Sequence, residues 1–226
     1  MRISYLICCS LSPRISQKLF QQSKTTCLID HNEITALQKV LAKSDDQTAY
    51  VQLYRIYFRH LLRFSRSFVG QNPVAEEIVS DVFLQIWNMR RKLHTVRHLT
   101  VYLYTCIRNH SLNHLRQQQR LDLLSLDEDS LLIPSTQANP EQTCITSELM
   151  RAIDLAVRDL PPRCRTIFQL VREDGLRYRE VAEILNISVK TIEAQMGIAM
   201  KRISKAIQPF TGEAEIAAFY LPFQKK

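Results

Sequence analysis

The chain has 226 residues, of which 46% are hydrophobic, so it is long enough to bury one or two small globular cores. Its 30 Lys and Arg residues against 22 Asp and Glu give a formal net charge of +8, which indicates an anionic partner, either nucleic acid or a membrane surface. The six cysteines form no CxxC pair, which disfavours zinc fingers and a disulfide framework and favours free thiols in a reducing cytoplasm.

The spacing of the apolar residues indicates the fold class. They recur mostly at intervals of three and four, few glycines and prolines interrupt them, and no segment alternates as a strand would. We therefore predict an all-α protein with two small helical domains joined by a flexible acidic linker. The second domain is predicted to have four helices and to contain a helix-turn-helix.

The first 31 residues differ from the rest of the chain. They open with MRISYLICCSLSPRIS, whose apolar run is too short to span a bilayer and lacks a clear small-residue cleavage site. We interpret residues 1–31 as an N-terminal extension, either disordered or outside the native protein. No other segment approaches membrane length, so the chain is not predicted to be a membrane protein.

The first domain is predicted over residues 32–120. Its first short helix has an apolar stripe of Ile34, Leu37, Val40 and Leu41. A long amphipathic helix follows, whose opposite face carries Arg55, Arg59, Arg63 and Arg66 and is interpreted first as a solvated basic face. Gly70 ends this helix, and Asn72 with Pro73 is a typical start for the next one.

The third helix of this domain has a polar strip opposite its core stripe. The strip consists of Glu77, Asp81, Gln85 and Asn88. It suits either solvent or a basic partner helix. After a non-periodic segment at His94–His98, a fourth helix carries Tyr102, Thr105, Asn109, Asn113 and Arg116 on one face. An aromatic ring beside amide and guanidinium donors can hold unstacked bases, although a lone tyrosine on a helix more often packs.

Residues 121–147 are rich in acidic and small polar residues without a sustained period, and we interpret them as the linker. The second domain is predicted over residues 148–208, and residues 209–226 form a tail of undecided role. In the second domain, two helical patterns meet at Asn186, which tolerates a left-handed backbone, and Ser188, which can cap the following helix. This spacing is typical of a DNA-binding helix-turn-helix, and also of ordinary helical domains.

Two blocks of sequence together resemble one family. AEEIVSDVFLQIW at 75–87, with VYLYTCIRNHSLNHLR at 101–116, resembles region 2 of the extracytoplasmic-function sigma factors, the minimal promoter-specificity subunits of bacterial RNA polymerase. The block at 160–203, which contains RYREVAEILNISVKTIEAQMGIAMKR, is similar to region 4 of the same family. The resemblance implies a non-enzymatic cytoplasmic protein without metal or cofactor. Its implied partners are core RNA polymerase, promoter DNA and an anti-sigma factor, either soluble or membrane-bound.

The resemblance also implies three sets of binding residues. The set for core polymerase is Glu77, Asp81, Gln85 and Trp87. The set for the downstream promoter element and the opened strand is Arg97, Tyr102, Arg108, Asn109, Asn113 and Arg116. The set for the upstream element is Ser188, Lys190, Thr191, Glu193, Ala194, Lys201 and Arg202. Two departures from the family pattern bear on the upstream set. Arg177 replaces the usual Ser or Thr cap of the first helix of the helix-turn-helix, and Gly197 interrupts the second helix, which would contact the upstream element.

Two alternatives belong to other classes. A helix-turn-helix regulator that never binds core polymerase would need neither the acidic strip nor the strand-holding face. A metalloenzyme could use His94 with His98 or His110 with His114, since each pair has i, i+4 spacing, but no HExxH motif or third ligand accompanies them. Packing or solvent exposure is therefore the preferred interpretation of these histidines.

Overall fold

The computed structural model describes residues 31–44, 46–124 and 145–210, which fall into two compact units, one holding residues 31–124 and the other residues 145–210. The helices of the first unit are α1 (His31–Ser44), α2 (Gln47–Val69), α3 (Asn72–Asn88), a 3-10 helix (Arg90–Thr95) and α4 (Leu99–Leu124). Those of the second are α5 (Ile145–Arg158), α6 (Pro162–Arg172), α7 (Tyr178–Leu185), α8 (Val189–Ile207) and a short 3-10 helix (Gln208–Phe210). The all-α prediction is confirmed. The N-terminal extension, most of the linker and most of the tail lie outside the described residues.

Helix α2 is the centre of the first unit and packs against α1, α3 and α4. Its buried side chains recur every three or four residues: Ala49, Leu53, Tyr57, Leu61 and Phe64. The helix begins at Asp46, whose carboxylate accepts a hydrogen bond from the Thr48 N–H at 2.7 Å, and this bond lowers the pKa of Asp46. It ends at Gly70, which has a φ of 74° and donates its N–H to the Arg66 carbonyl. A positive φ is why glycine stands there.

Two hydroxyl pairs join α2 to α4 inside this core. The Tyr57 hydroxyl lies 2.7 Å from Oγ1 of Thr100, and the Ser65 hydroxyl lies 3.1 Å from that of Ser111. All four side chains are buried. Buried hydroxyls need partners, so each pair satisfies groups that would otherwise destabilise the core.

The buried stripe of α1 differs from the prediction. Val40 is 42% exposed, whereas Gln38 is only 7% exposed and lies between the buried Ile34 and Leu41. Residues four and then three apart share one helix face, which is the spacing of Ile34, Gln38 and Leu41. The apolar pattern was therefore misleading at Val40, which is exposed, because the polar side chain of Gln38 takes the inward position.

Three predicted boundaries in the first unit also differ. Residues 90–95 form a 3-10 helix, so the first two residues of the non-periodic segment at His94–His98 are helical and residues 96–98 form a connection. Helix α3 starts at Asn72 itself after Gln71, so Asn72 is not its cap. Helix α4 continues to Leu124, four residues past the predicted end of the first domain at residue 120.

The second unit has the four predicted helices, with α8 packed against α5, α6 and α7. Its core consists of Ile153, Val157, Ile167, Phe168, Val181, Ile184, Ile192, Met196 and Ile203. Asn186 ends α7 in the left-handed conformation, with φ and ψ both 53°. The Ser188 hydroxyl accepts the Thr191 N–H at 3.1 Å at the start of α8. Both features of the predicted helix-turn-helix are confirmed.

Arg177 does not leave α7 without stabilisation at its start. The Glu180 carboxylate accepts a hydrogen bond from the Arg177 backbone N–H at 2.7 Å. This is one half of a capping box, in which the third residue of the helix reaches back to the cap. The carboxylate also interacts favourably with the positive end of the helix dipole. The departure from Ser or Thr at this position is thus compensated by Glu180.

Gly197 allows a direct test of helix stability. It lies exposed in the middle of α8, and no atom lies within 4 Å of the position that a Cβ would take. Gly197→Ala is therefore expected to stabilise the second unit by about 1 kcal/mol, since alanine loses less backbone entropy in a helix. Thermal unfolding followed by circular dichroism measures this. Gly70→Ala is the control and should destabilise, because its φ is 74°; a lower melting temperature for Gly197→Ala would contradict the expectation.

Candidate functional site

The exposed side of α3 carries acidic and polar side chains in one line. Glu77, Asp81 and Gln85 are all exposed and stand at intervals of four, so they share one side of the helix. Leu84 lies between them and is 57% exposed, more than any other large hydrophobic side chain whose exposure the structure describes. We call these four residues the α3 strip. The carboxylates of Glu77 and Asp81 give the strip a negative charge, which complements a basic partner surface.

The α3 strip continues onto α4 through a histidine. Nε2 of Gln85 lies 3.1 Å from Nε2 of His110, which is half-buried. His94 places its Nδ1 2.7 Å from the Arg91 carbonyl. Both histidines thus have protein hydrogen-bond partners, and His110 lies at the surface of α4. Across the described ranges, no group of three His, Cys, Asp or Glu side chains could hold a metal ion.

One face of α4 brings together four of the predicted strand-binding residues. Asn109, Asn113 and Arg116 are exposed, and Nη1 of Arg116 donates to Oδ1 of Asn113 at 3.4 Å. Tyr102 lies on the same side of the helix and is half-buried. Its hydroxyl donates to the Met89 sulfur at 3.2 Å, and burial raises its pKa. The hydroxyl edge of the Tyr102 ring is therefore held by Met89, and the phenol stays neutral. The donors of Asn109, Asn113 and Arg116 lie farther along the helix. We call Tyr102, Asn109, Asn113 and Arg116 the α4 face.

The outward side of α8 is basic and sterically open. Lys190, Ala194 and Lys201 are exposed, and the side chains of Ile192 and Met196 are buried on the opposite side. Gly197 falls on the same outward line as Ala194, at the three-residue spacing of neighbours on a helix. We call Lys190, Ala194, Gly197 and Lys201 the α8 face. Its centre is small and its ends are cationic, which suits a helix that lies close to base edges between phosphates.

Comparison with known proteins identifies the family. The Sigma-70 region 2 family matches residues 53–121, which include α3 and most of α4. The Sigma-70, region 4 family matches residues 150–203, which include the helix-turn-helix. Together the two matches cover more than half of the chain. The chain belongs to the sigma-70 family.

The relatives of this sigma factor include named members of the extracytoplasmic-function group, such as SigW. The chain is 24% identical over 173 residues to the factor SigW of Bacillus subtilis, covering 74% of this chain and 92% of SigW. It is also 24% identical over 176 residues to the RNA polymerase sigma-H factor of Pseudomonas aeruginosa, covering 75% and 91%. The solved structure of RpoE with the anti-sigma factor NepR from Bartonella quintana matches with a TM-score of 0.48 at 20% identity, covering 70% of this chain and 96% of RpoE.

Trp87 lies at the edge of the α3 strip in this sigma factor, three residues after Leu84 and on the side turned away from Gln85. The half-buried indole packs edge-on against Tyr50 with ring centroids 5.0 Å apart, and the Arg90 guanidinium lies 4.5 Å from its centroid. The structure thus gives Trp87 a packing role against α2 and does not bring it together with Glu77 and Asp81.

Arg108 and Arg97 also stand outside the α4 face. Arg108 follows Tyr102 by six residues, about 240° around the helix, and is half-buried. Arg97 is exposed in the short connection between the 3-10 helix and α4. The connection is followed at once by α4, since the His98 carbonyl accepts the Tyr102 N–H at 3.0 Å. Arg97 is therefore close in the chain to the α4 face, while Arg108 belongs to a different side.

The upstream set is divided in a similar way. Arg202 donates from Nη1 to the Asp159 carbonyl at 3.0 Å, so it ties α8 to the end of α5. Thr191 is half-buried, and its hydroxyl lies 2.8 Å from that of Ser188. Glu193 is exposed and borders the α8 face. Lys190, Ala194 and Lys201 are exposed on the α8 face, whereas Ser188 and Arg202 are exposed but hydrogen-bonded to Thr191 and to the Asp159 carbonyl.

Sequence reasoning missed two contributors to these surfaces. Leu84 was not assigned to either side of the helix, although its distance of three residues from Asp81 indicates that the two share one side. Gly197 was interpreted as a flaw in α8. The structure places it on the outward face, where the missing side chain leaves space beside Ala194.

Proposed function

We propose that this sigma factor binds core RNA polymerase, recognises promoter DNA and assists promoter opening to start transcription of a specific set of genes. The observation that carries the proposal is that region 2 and region 4 both match, in that order, on two separate compact units of one chain. The protein supplies binding and no catalysis, since the polymerase performs the chemistry. It acts in the cytoplasm with core polymerase, and an anti-sigma factor is proposed as its regulatory partner on the ground of family membership.

Each surface has one task in this mechanism. The α3 strip docks on a basic surface of core polymerase, with the exposed Leu84 as its apolar contact. The α4 face and Arg97 hold bases of the opened strand. Stacking on an aromatic side chain contributes about 1–3 kcal/mol per base, which offsets an unstacking cost of a few kcal/mol.

The α8 face reads the upstream element. Lys190 and Lys201 contact phosphates and set the position of the helix in the major groove. The small side chain of Ala194 and the absence of one at Gly197 allow the helix backbone to approach the base edges. Because phosphate contacts dominate affinity, duplex binding by this face weakens as salt concentration rises.

The proposal is tested by transcription with purified core polymerase, with and without this protein, on a library of promoters. Promoter-specific transcripts are expected only when the protein is present. Absence of promoter-specific initiation would overturn the proposal. A helix-turn-helix regulator of the alternative class would instead bind duplex DNA without co-purifying with core polymerase, and the region 2 match disfavours it because such a regulator needs no region 2.

A further inference from the structure

Gln38 is a buried polar side chain on α1 with two hydrogen bonds to one distant segment. Its Nε2 donates to the Leu93 carbonyl at 2.6 Å and to the Val96 carbonyl at 2.7 Å. Both protons of the amide are therefore used, and both go to residues more than fifty positions farther along the chain. Only 7% of the Gln38 side chain is exposed, so water does not compete for these bonds.

The two carbonyls belong to the end of the 3-10 helix and the residue that follows it. Leu93 is fully buried, and its carbonyl also accepts the Val96 N–H at 3.0 Å. At Val96 the backbone becomes extended, with φ of −83° and ψ of 112°. Gln38 thus hydrogen-bonds to the backbone where the chain leaves the 3-10 helix and enters the connection at residues 96–98.

Two other side-chain bonds in this segment are local. Thr95 donates its hydroxyl to the Lys92 carbonyl at 2.7 Å, and the His94 ring lies 2.7 Å from the Arg91 carbonyl. These bonds shape the 3-10 helix itself, whereas Gln38 joins its end to another helix. Because α1 packs on the 3-10 helix and also on the central α2, the two hydrogen bonds of Gln38 fix the connection at residues 96–98 relative to the core of the unit.

We propose that Gln38 is a positioning residue for promoter opening. By holding the Leu93 and Val96 carbonyls, it fixes the direction in which Arg97 and His98, both exposed, meet the unstacked strand beside the α4 face. This inference rests on the proposed function above. It assigns to α1 a role in opening without any contact between α1 and DNA. An amide suits the role because one nitrogen carries two donors, which neither methionine nor an ionised glutamate provides.

The test uses holoenzyme reconstituted from the full chain and core polymerase on two templates, a duplex promoter and the same promoter with a pre-opened bubble. Gln38→Met keeps the length of the side chain and removes both donors. On the duplex template, the rate of promoter opening is expected to fall on the order of tenfold, the factor that corresponds to the free energy of about one net hydrogen bond. The affinity of the variant for core polymerase should match that of the wild type. Its transcription from the pre-opened template, measured at saturating holoenzyme, should match as well.

Gln52→Met is the matched control, since Gln52 is exposed on α2, and it should leave both templates unchanged. A wild-type opening rate for folded Gln38→Met on the duplex would overturn the inference. An equal loss on both templates would also overturn it, because a merely structural role predicts that result. If Gln38→Met does not fold, Gln38→Asn makes the same comparison, because it keeps a neutral amide that is one methylene too short to reach both carbonyls. Failure of the wild-type protein on both templates would instead count against the proposed function itself.

Discussion

Asp81→Arg is expected to abolish association with core RNA polymerase while both units remain folded. Asp81 is exposed in the middle of the α3 strip, so the substitution costs no core packing. It removes one attractive charge from the interface and places a cation against a basic partner. Loss of one partner of an interfacial charge pair costs about 2–5 kcal/mol, and like charges in contact add to that cost. Co-purification with core polymerase and fluorescence titration measure the loss.

Glu76→Arg supplies the matched control for this experiment. It makes the same charge change on the same helix, and Glu76 is also exposed. Five residues separate it from Asp81, which places it about 140° around α3 and outside the α3 strip. Association should stay near that of the wild type. Binding by Asp81→Arg at the wild-type level, or equal loss in both variants, would refute docking through this strip.

Phe168→Ala is expected to destabilise the second unit by about 3–5 kcal/mol, the cost of removing a large aromatic side chain from a closed core. Phe168 is completely buried on α6. Because marginal domains have only about 5–15 kcal/mol of stability, this loss should unfold a measurable fraction of the unit at 37 °C. Binding of the upstream promoter element should weaken in proportion to the unfolded fraction.

Two optical probes separate the units in this measurement. The single tryptophan, Trp87, lies in the first unit, so its fluorescence reports unfolding there. Circular dichroism reports helices of both units. Phe168→Ala should lower the midpoint temperature of one unfolding transition seen by circular dichroism. It should leave the midpoint of the transition seen by Trp87 fluorescence unchanged. Phe210→Ala, at a phenylalanine that is 40% exposed, should change neither by much. A shift of the Trp87 transition would contradict an effect confined to the second unit.

The parts of the fold that could be predicted are those set by local chemistry. The left-handed residue at Asn186, the hydroxyl cap at Ser188 and the glycine end at Gly70 depend on neighbours within four residues. The core stripes of α2 and α8 follow from helical periodicity, which tertiary contacts did not override. The family resemblance, carried by two blocks, was confirmed by both region matches.

The parts that could not be predicted depend on distant partners. Gln38 occupies an inward position because two carbonyls, 55 and 58 residues away, accept its protons, and no local pattern indicates this. Arg202 is exposed and donates to the Asp159 carbonyl, 43 residues away, a bond that no local pattern indicates. Trp87 follows the α3 strip in sequence but packs on Tyr50. The contacts of the three surfaces with polymerase and DNA remain predictions.

The two hydroxyl pairs between α2 and α4 have a mechanical consequence for promoter opening. A slip of α4 along α2 by one helical turn, about 5.4 Å, would separate Tyr57 from Thr100 and Ser65 from Ser111 together. The slip would break the two hydrogen bonds that pair these buried hydroxyls, at about 1 kcal/mol net for each bond. This cost adds to that of disturbing the close-packed apolar contacts between the two helices. In the proposed function, a pull on α4 from a bound DNA strand would therefore move α2 and α4 together.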